Sequence, residues 1–337
     1  MRKIKLAIVG ATGLVGKTVI DILKEENLIF DIELILFASK TSAGKRMLVC
    51  GNEYKIFELN EDFETMGIDY AIFSAGGTVS KYWARRFTES GIVVIDNTSV
   101  FRMNQGVPLV VPEINMDTVK KNDKLIANPN CSTIQLVLVL DRLRRLNQIE
   151  QVVVSTYQSV SGAGRRALND LNNGTNYFFK EGIKNNIIAS IGEIDRHGFC
   201  SEEVKLMRET GKILQDKNIQ VSATVVRVPV GHCHGESVYI KFKNSVSLKQ
   251  IYKSLECDYI EVLHDGVCLP TCVKGLNKTF VCRIRKVSKN EVMMFVIADN
   301  LRRGAAYNAT EILKNLLKIQ QSKDDCLAVK IKQQKLF

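Results

Sequence analysis

No run of about 18 uncharged apolar residues occurs in this chain, so no membrane-spanning helix is expected. The start "MRKIKLAIVG" passes straight into a glycine turn and reaches no small-residue cleavage site, which reads as a first strand and not a secretory signal. The nine cysteines form no C-x-x-C pair and no regular framework, and their number is odd. Free thiols in a reducing cytoplasm fit that usage better than disulfides. Internal repeats and low-complexity linkers are also absent. Only four histidines are present, at 197, 232, 234 and 264, so few proton carriers are on offer. The H-C-H at 232–234 has no partner pair at metal-ligand spacing, and no metal is expected.

What is present describes a globular protein of two domains or one large one. The 337 residues are 45% hydrophobic and 25% charged, enough for a sizeable core. The net charge of +11 invites a nucleic-acid reading. However, the Lys and Arg residues are dispersed among 36 acids, and the densest groups, "RLRR" (142–145) and "KIKQQK" (330–335), are short. A solvated basic surface is the plainer reading, with no nucleic-acid partner, and such a surface also attracts anionic substrates.

The first 130 residues alternate strand and helix. "IKLAIV" (4–9), "ELILFAS" (33–39), "DYAIFSAGG" (69–77) and "GIVVIDNTS" (91–99) read as buried strands. "KTVIDILKEEN" and "SKYWARRFTES" (80–90) read as helices between them. This is the pattern of an α/β, doubly wound parallel sheet of Rossmann type. Past residue 150 the strands alternate in polarity: "QVVVSTY" (151–157), "VSATVVRVPV" (221–230), "ESVYIKFK" (236–243), "TFVCRIRKV" (279–287) and "VMMFVIA" (292–298). They predict a second, α+β domain with an antiparallel or mixed sheet. We place the first domain at 1–131 and the second at 132–303. The terminal helix, about 304–337, carries Ile312, Leu313, Leu316 and Leu317 as an apolar stripe and returns to the first domain.

"GATGLVG" sets glycines at 10, 13 and 16 between a strand and a helix. Gly10 allows the tight turn, Gly13 lets the backbone approach a pyrophosphate, and Gly16 allows close helix packing. The helix start then offers its N–H groups to phosphate. The alternative is a packing turn with no ligand. After the second strand an NAD site offers an acid for the ribose; here "FASKTSAGKR" supplies Ser39, Lys40, Thr41, Ser42, Lys45 and Arg46 and no acid. Hydroxyls and cations suit the 2′-phosphate of NADP.

"NPNCSTIQ" puts Cys131 at the start of a helix. Pro129 disfavours helix before it, Asn130 is a suitable N-cap, and the helix dipole at this position lowers a thiol pKa. A small packing residue at a strand–helix junction would look the same. A nicotinamide cofactor beside a thiolate suggests a thioester route between aldehyde and acid, and the proton carrier is then His234 or its neighbour His232. Arg227 reads either as a carboxylate clamp or as a strand-edge charge. Glu202 and Lys205 share a helix face, as site residues or as an exposed ion pair.

Taken together, "GATGLVG", "ASKTSAGK", "FSAGG", "VIDNTSVFR", "PLVVPEIN", "NPNCSTIQ", "VSTYQSVSGAG", "EEVKLMRETGKIL", "VSATVVRVPVGHCHGESVYI", "TFVCRIRK" and "DNLRRGAAYNA" closely resemble the aspartate-β-semialdehyde dehydrogenase family in its bacterial form. The resemblance spans nearly the whole chain; residues 172–200 depart from the family pattern. It implies NADPH-dependent reductive dephosphorylation of L-4-aspartyl phosphate to L-aspartate 4-semialdehyde, with release of phosphate. That reaction feeds lysine or diaminopimelate, threonine and methionine synthesis, in a cytoplasmic homodimer or dimer of dimers.

The resemblance makes Cys131 the nucleophile, His234 the acid/base and Gln158 the residue that positions substrate. It assigns Arg227 to the substrate carboxylate, Arg102 and Lys205 to phosphate, Glu202 to the amino group, and Asn130 to a place beside the reacting carbonyl. Cofactor contacts fall on Gly10, Thr12, Gly13, Leu14, Val15, Ser39, Lys40, Ser42, Ser74, Gly76, Ser161, Gly162 and Asn300. Two rivals remain at this point: a related acyl-phosphate reductase such as N-acetyl-glutamyl-phosphate reductase, and a non-catalytic NADP-binding or nucleic-acid-binding protein.

Overall fold

Two sheets account for thirteen strands. The first holds β1 (Ile4–Val9), β2 (Ile32–Ala38), β3 (Arg46–Val49), β4 (Asn52–Glu58), β5 (Tyr70–Phe73), β6 (Val93–Asp96) and β7 (Leu125–Ala127), in the order β3-β4-β2-β1-β5-β6-β7. The second holds β8 (Ile149–Gln158), β9 (Gln220–Arg227), β10 (His234–Phe242), β11 (Ile260–Val262), β12 (Thr279–Lys286) and β13 (Glu291–Ala298), in the order β11-β12-β13-β10-β8-β9. The computed structural model describes residues 3–334, with side chains through residue 320. Met1, Arg2 and residues 335–337 of the expected terminal helix lie outside the described residues, as do the side chains of the basic group 330–335.

The first sheet is parallel except at β3, which pairs antiparallel to β4. β1 is its centre, flanked by β2 and β5, and Leu6 through Val9 are fully buried. A strand covered on both faces has no polar side, which is why "IKLAIV" reads as a continuous apolar run. The helix Leu14–Glu25 and the helix Tyr307–Gln334 share one face: Val19, Ile22 and Leu23 form a single core with Ala309, Ile312 and Leu313. The helix Gly77–Glu89 covers the other face, setting Ala84 and Phe87 against Phe63 and Phe73.

The hairpin β3–β4 has no counterpart in the sequence reading. Its two-residue turn puts Cys50 at φ 48° and Gly51 at φ 79°, the backbone that matches hairpin twist. Cysteine is not a usual turn residue, and both strands are half exposed, so neither the turn chemistry nor the hydrophobicity was distinctive.

The second sheet is mixed. β10 pairs antiparallel with β8 and β13, while β8 and β9 run parallel around the crossover helix Ser201–Leu214. The short connection 228–233 does not join neighbours, because β8 lies between β9 and β10. One face packs on the helices Cys131–Leu146, Ser201–Leu214 and Leu248–Leu255. The other leaves Val153 and Tyr157 39% and 43% exposed, a large apolar display for a sheet face.

The glycine turn closes tightly. Gly10 has φ 97°, and a Cβ there would meet the Ser74 carbonyl carbon at 2.9 Å. A Cβ on Gly16 would lie 2.3 Å from the Gly10 carbonyl oxygen. Backbone cannot move aside cheaply, so Gly16→Ala should cost about 1–3 kcal/mol of stability, read as a lower urea midpoint. An unchanged midpoint would mean that this helix does not need its close approach.

Candidate active site

Several segments converge where the two sheets meet. The helix Cys131–Leu146 presents Cys131 in its first turn. The end of β8 brings Gln158, Ser159, Ser161 and Gly162, and the end of β9 with the start of β10 brings Arg227 and His234. The helix Ser201–Leu214 adds Glu202 and Lys205. A cavity of about 470 Å³ is lined by Arg102, Asn130, Cys131, Gln158, Gly162, Glu202, Lys205 and Arg227, with Phe178, Phe179 and Glu181 on its outer wall. That wall comes from the region where the sequence departs from its family. Asp170 pins it, accepting from Thr175 Oγ1 and from the backbone N–H groups of Tyr177, Phe178 and Phe179 at 2.6–3.1 Å.

Cys131 is half-buried. Gly304 lies so near that a Cβ on it would come within 2.8 Å of the Cys131 Cβ. Here the expectation of a lowered thiol pKa is corrected. Burial, reinforced by the Glu202 carboxylate, pushes the thiol up to about 12 against the pull of Arg102, Arg227 and the Ser132 N–H. Desolvation of the thiolate outweighs the helix start. In the ligand-free protein, carboxymethylation of Cys131 should therefore rise about tenfold per pH unit up to about pH 10. Levelling near pH 8 would show an ordinary or activated thiol.

Asn130 occupies the N-cap position but does not cap, which also departs from expectation. Its Nδ2 donates to Glu202 Oε1 at 2.8 Å, and its Oδ1 accepts from the Cys131 thiol at 3.5 Å. The charge-assisted bond to the buried carboxylate orients the Asn130 side chain so that its Oδ1 meets the thiol instead of a backbone N–H of the helix start. Glu202 also accepts from Lys205 Nζ at 2.9 Å and from Gln158 Nε2 at 3.3 Å. Burial raises its carboxyl pKa, but Lys205, Asn130 and Gln158 together outweigh that and hold it below the usual range.

Arg227 is buried, and its Nη1 donates to the Ser159 carbonyl at 2.6 Å. Arg102 is held by Glu209 at 3.0 Å and by the carbonyls of Asn128 and Asn97.

His234 is fully buried, and its Nδ1 accepts the Ser159 backbone N–H at 3.0 Å. The proton therefore sits on Nε2, which has no partner among the described residues. A Cβ on Gly162 would touch both that Nε2 and Arg227 Nη1 at 3.2 Å, so the ring tip and the guanidinium meet at the same glycine. Burial, followed by Arg227, pushes the His234 pKa down to about 3. His232 is only partly buried, and its charged neighbours are Lys274 and Asp299 rather than Arg227 and Glu202.

Ser161 and Asn300 are buried and bonded to each other. Asn300 Oδ1 also accepts from Ser159 Oγ and from the Cys233 N–H. Their side chains brace the His234 loop.

The remaining cofactor candidates lie at the first sheet. Gly13 precedes the helix Leu14–Glu25, whose start carries no side-chain cap, leaving N–H groups for an anion. The Thr12 carbonyl accepts from Arg165 at 2.6 Å, Val15 packs into the core, and Ser74 Oγ donates to the Val9 carbonyl. Gly76 caps the helix Gly77–Glu89. Ser39 and Thr41 share a hydroxyl contact at 2.9 Å beside the exposed Lys40, with Ser42 closing the turn. No acid stands there, so the residues present fit a dinucleotide, including one with a 2′-phosphate. Among the described residues, no group of three His, Cys, Asp or Glu is placed to hold a metal ion.

The sequence reading missed Glu209, Ser159, Gly304 and Gln135. Glu209 accepts from Arg102 and from the Asn130 N–H at 2.7 Å. Its place seven residues after Glu202, on the same helix face, was the available clue. Ser159 and Gly304 act through backbone approach, and Gln135 through an amide buried against a distant strand, for which a linear sequence has no marker.

Two family models cover most of the chain: "Semialdehyde dehydrogenase, NAD binding domain" over residues 5–122 and "Semialdehyde dehydrogenase, dimerisation domain" over residues 140–303. An aspartate-semialdehyde dehydrogenase of Aquifex aeolicus is 43% identical, the alignment covering 93% of this chain and 98% of that protein. The chain belongs to the aspartate-semialdehyde dehydrogenase family. It is an oxidoreductase with a nucleotide-binding domain of Rossmann type. The family member from Vibrio cholerae, solved as a complex with ASA, superposes with a TM-score of 0.88 at 36% identity, covering 94% of this chain and 99% of that one. A Candida albicans member solved with NADP gives a TM-score of 0.74 at 25% identity, covering 93% and 99%.

Proposed function

We propose that the protein reduces L-4-aspartyl phosphate to L-aspartate 4-semialdehyde with NADPH, releasing phosphate, through a thioester on Cys131. The observation that carries this reading is the single cavity in which the Cys131 thiol shares walls with Arg227, Glu202, Lys205, Arg102 and Gln158. These groups complement the substrate. The Arg227 guanidinium offers paired donors to the α-carboxylate. Glu202 faces the α-ammonium, and Gln158 steadies it there. Arg102 and Lys205 receive the phosphate.

The thiol is protonated in the resting site, so its proton goes with the leaving group. Sulfur attacks the acyl carbon, the C–O bond to phosphate breaks, and phosphate departs carrying the thiol proton. Bound NADPH supplies hydride to the thioester carbonyl. His234, with Nε2–H beside the site, donates a hydrogen bond to the resulting oxyanion, which collapses to the aldehyde as the C–S bond breaks; the departing thiolate takes up a proton from solvent and is restored as the thiol. Asn130 and the N–H groups of the helix start assist at the same oxygen. An acid poised for a free amino group favours aspartyl over N-acetyl-glutamyl phosphate.

Ser39, Lys40 and Ser42 without a neighbouring acid favour NADP, in keeping with the Candida relative. We assign residues 1–131 and the terminal helix to the nucleotide unit and 132–303 to catalysis and dimerisation. A second copy would cover the exposed face at Val153 and Tyr157, making a homodimer or a dimer of dimers. No helix among the described residues is long and apolar enough to cross a membrane. A cytoplasmic enzyme supplying lysine or diaminopimelate, threonine and methionine follows from the same reading.

The deciding assay follows NADPH formation from aspartate semialdehyde and phosphate, with N-acetyl-glutamate semialdehyde as rival substrate. Phosphate-dependent turnover of the first alone is expected. Turnover of the acetylated compound instead, or none with either, overturns the reading.

A further inference from the structure

β10 turns His234, Glu236, Val238 and Ile240 toward the helix Cys131–Leu146, and all four are fully buried. Glu236 is the anomaly in that row. Neither of its carboxyl oxygens has a hydrogen-bond partner among the described residues. Its flanking positions on β8 and β13 are Thr156 and Val296, so the sheet brings no charge to it. The polar group it faces is the amide of Gln135, one helical turn after Cys131.

One of that amide's two N–H groups is already engaged. Gln135 Nε2 donates to the His234 carbonyl oxygen at 3.0 Å, and a carbonyl can only accept, so Gln135 turns its Oε1 the other way. Oε1 likewise has no partner. An amide oxygen and a carboxyl group can satisfy each other only if the carboxyl carries a proton. A fully buried carboxylate with no cation beside it, and only one neutral amide N–H left to serve it, would be far more costly than the neutral acid.

We infer that Glu236 is held as the neutral acid, donates its O–H to Gln135 Oε1, and through Gln135 fixes the His234 backbone against the helix that bears Cys131. Glu236 is then a positioning residue. It touches no substrate, yet it sets the distance between the thiol and the imidazole, which reach the site on different elements. Burial also pushes its carboxyl well above the usual range, so it stays protonated where the enzyme works, as a buried acid kept neutral in order to donate.

This role rests on the proposed part of His234 in the reaction, whereas the protonation state does not, and the two can be tested apart. Infrared spectra of the resting protein at about pH 8, wild type minus E236Q, should show the carbonyl stretch of a protonated carboxylic acid. E236Q keeps a donor toward Gln135 and should hold kcat within about twofold of wild type. E236L removes the donor at similar volume and should lower kcat roughly tenfold with KM little changed. The inference is overturned if the difference spectrum lacks the band, if E236Q is as damaged as E236L, or if E236L turns over at the wild-type rate. The spectrum and E236Q decide the matter even if E236L does not fold. The band together with no phosphate-dependent turnover would sink the proposed reaction and leave the neutral acid standing.

Discussion

Cys131→Ala should lower turnover by at least about 10⁴-fold while NADP affinity stays within about twofold of wild type. Cys131 is the only thiol among the residues lining the cavity, so no other group there can form the thioester. Most of the proposed dinucleotide contacts lie on the first sheet and its loops, and removing one sulfur leaves Gly10, Gly13 and the helix start untouched. Rapid-quench measurement of phosphate release from aspartyl phosphate, with calorimetric titration of NADP, separates the two effects. A stoichiometric burst of phosphate from the alanine variant would refute the thioester route. Loss of NADP binding would show that the residue supports the fold instead.

His234→Ala should reduce kcat by about 10²–10³-fold while the phosphate burst remains visible. The imidazole is neutral with its proton on Nε2, and its partners Ser159 and Gln135 hold ring and backbone in place. In the proposed mechanism it serves the step in which negative charge collects on the acyl oxygen, and the earlier attack of sulfur needs it less. If the burst disappears, or if His232→Ala proves the more damaging change, His234 has been given the wrong part.

The sign of the pH dependence follows from the lowered pKa. The unfolded ring takes up a proton below about pH 6.5, whereas the buried one resists until about 3. Folding stability is thus intact above that interval and falls as the pH drops through it. His234→Ala should blunt that part of the acid sensitivity, measured as the pH dependence of the urea midpoint.

The first sheet was readable because a parallel strand buried on both faces is apolar throughout, and because strand, glycine turn and helix follow one another within β1 and Leu14–Glu25. β3, β4, β7 and β11 were not read. They are short or half-exposed, and their pairing partners make them strands.

The residues brought together at the site were named from their order in the chain, and Cys131, Arg227, Glu202 and Lys205 do share one cavity. Their electrical states were not legible. A helix start argues for a lowered thiol pKa, yet burial beside Glu202 raises it. Asn130 looks like a cap, yet Glu202 takes its side chain. Seventy-two residues separate those two in sequence.

The sequence by itself determined the family and the glycine turn of its nucleotide-binding domain, and it named Cys131 and the charged groups that share its cavity, because these depend on residue type and local spacing. Only the tertiary structure decided that His234 is fully buried beside Arg227 while His232 is not, which His234 nitrogen holds the proton, and that Glu236 lies buried against Gln135. Those outcomes depend on desolvation and on hydrogen-bond donors from distant strands and helices, and they arise only once β8, β10 and the Cys131 helix are packed together.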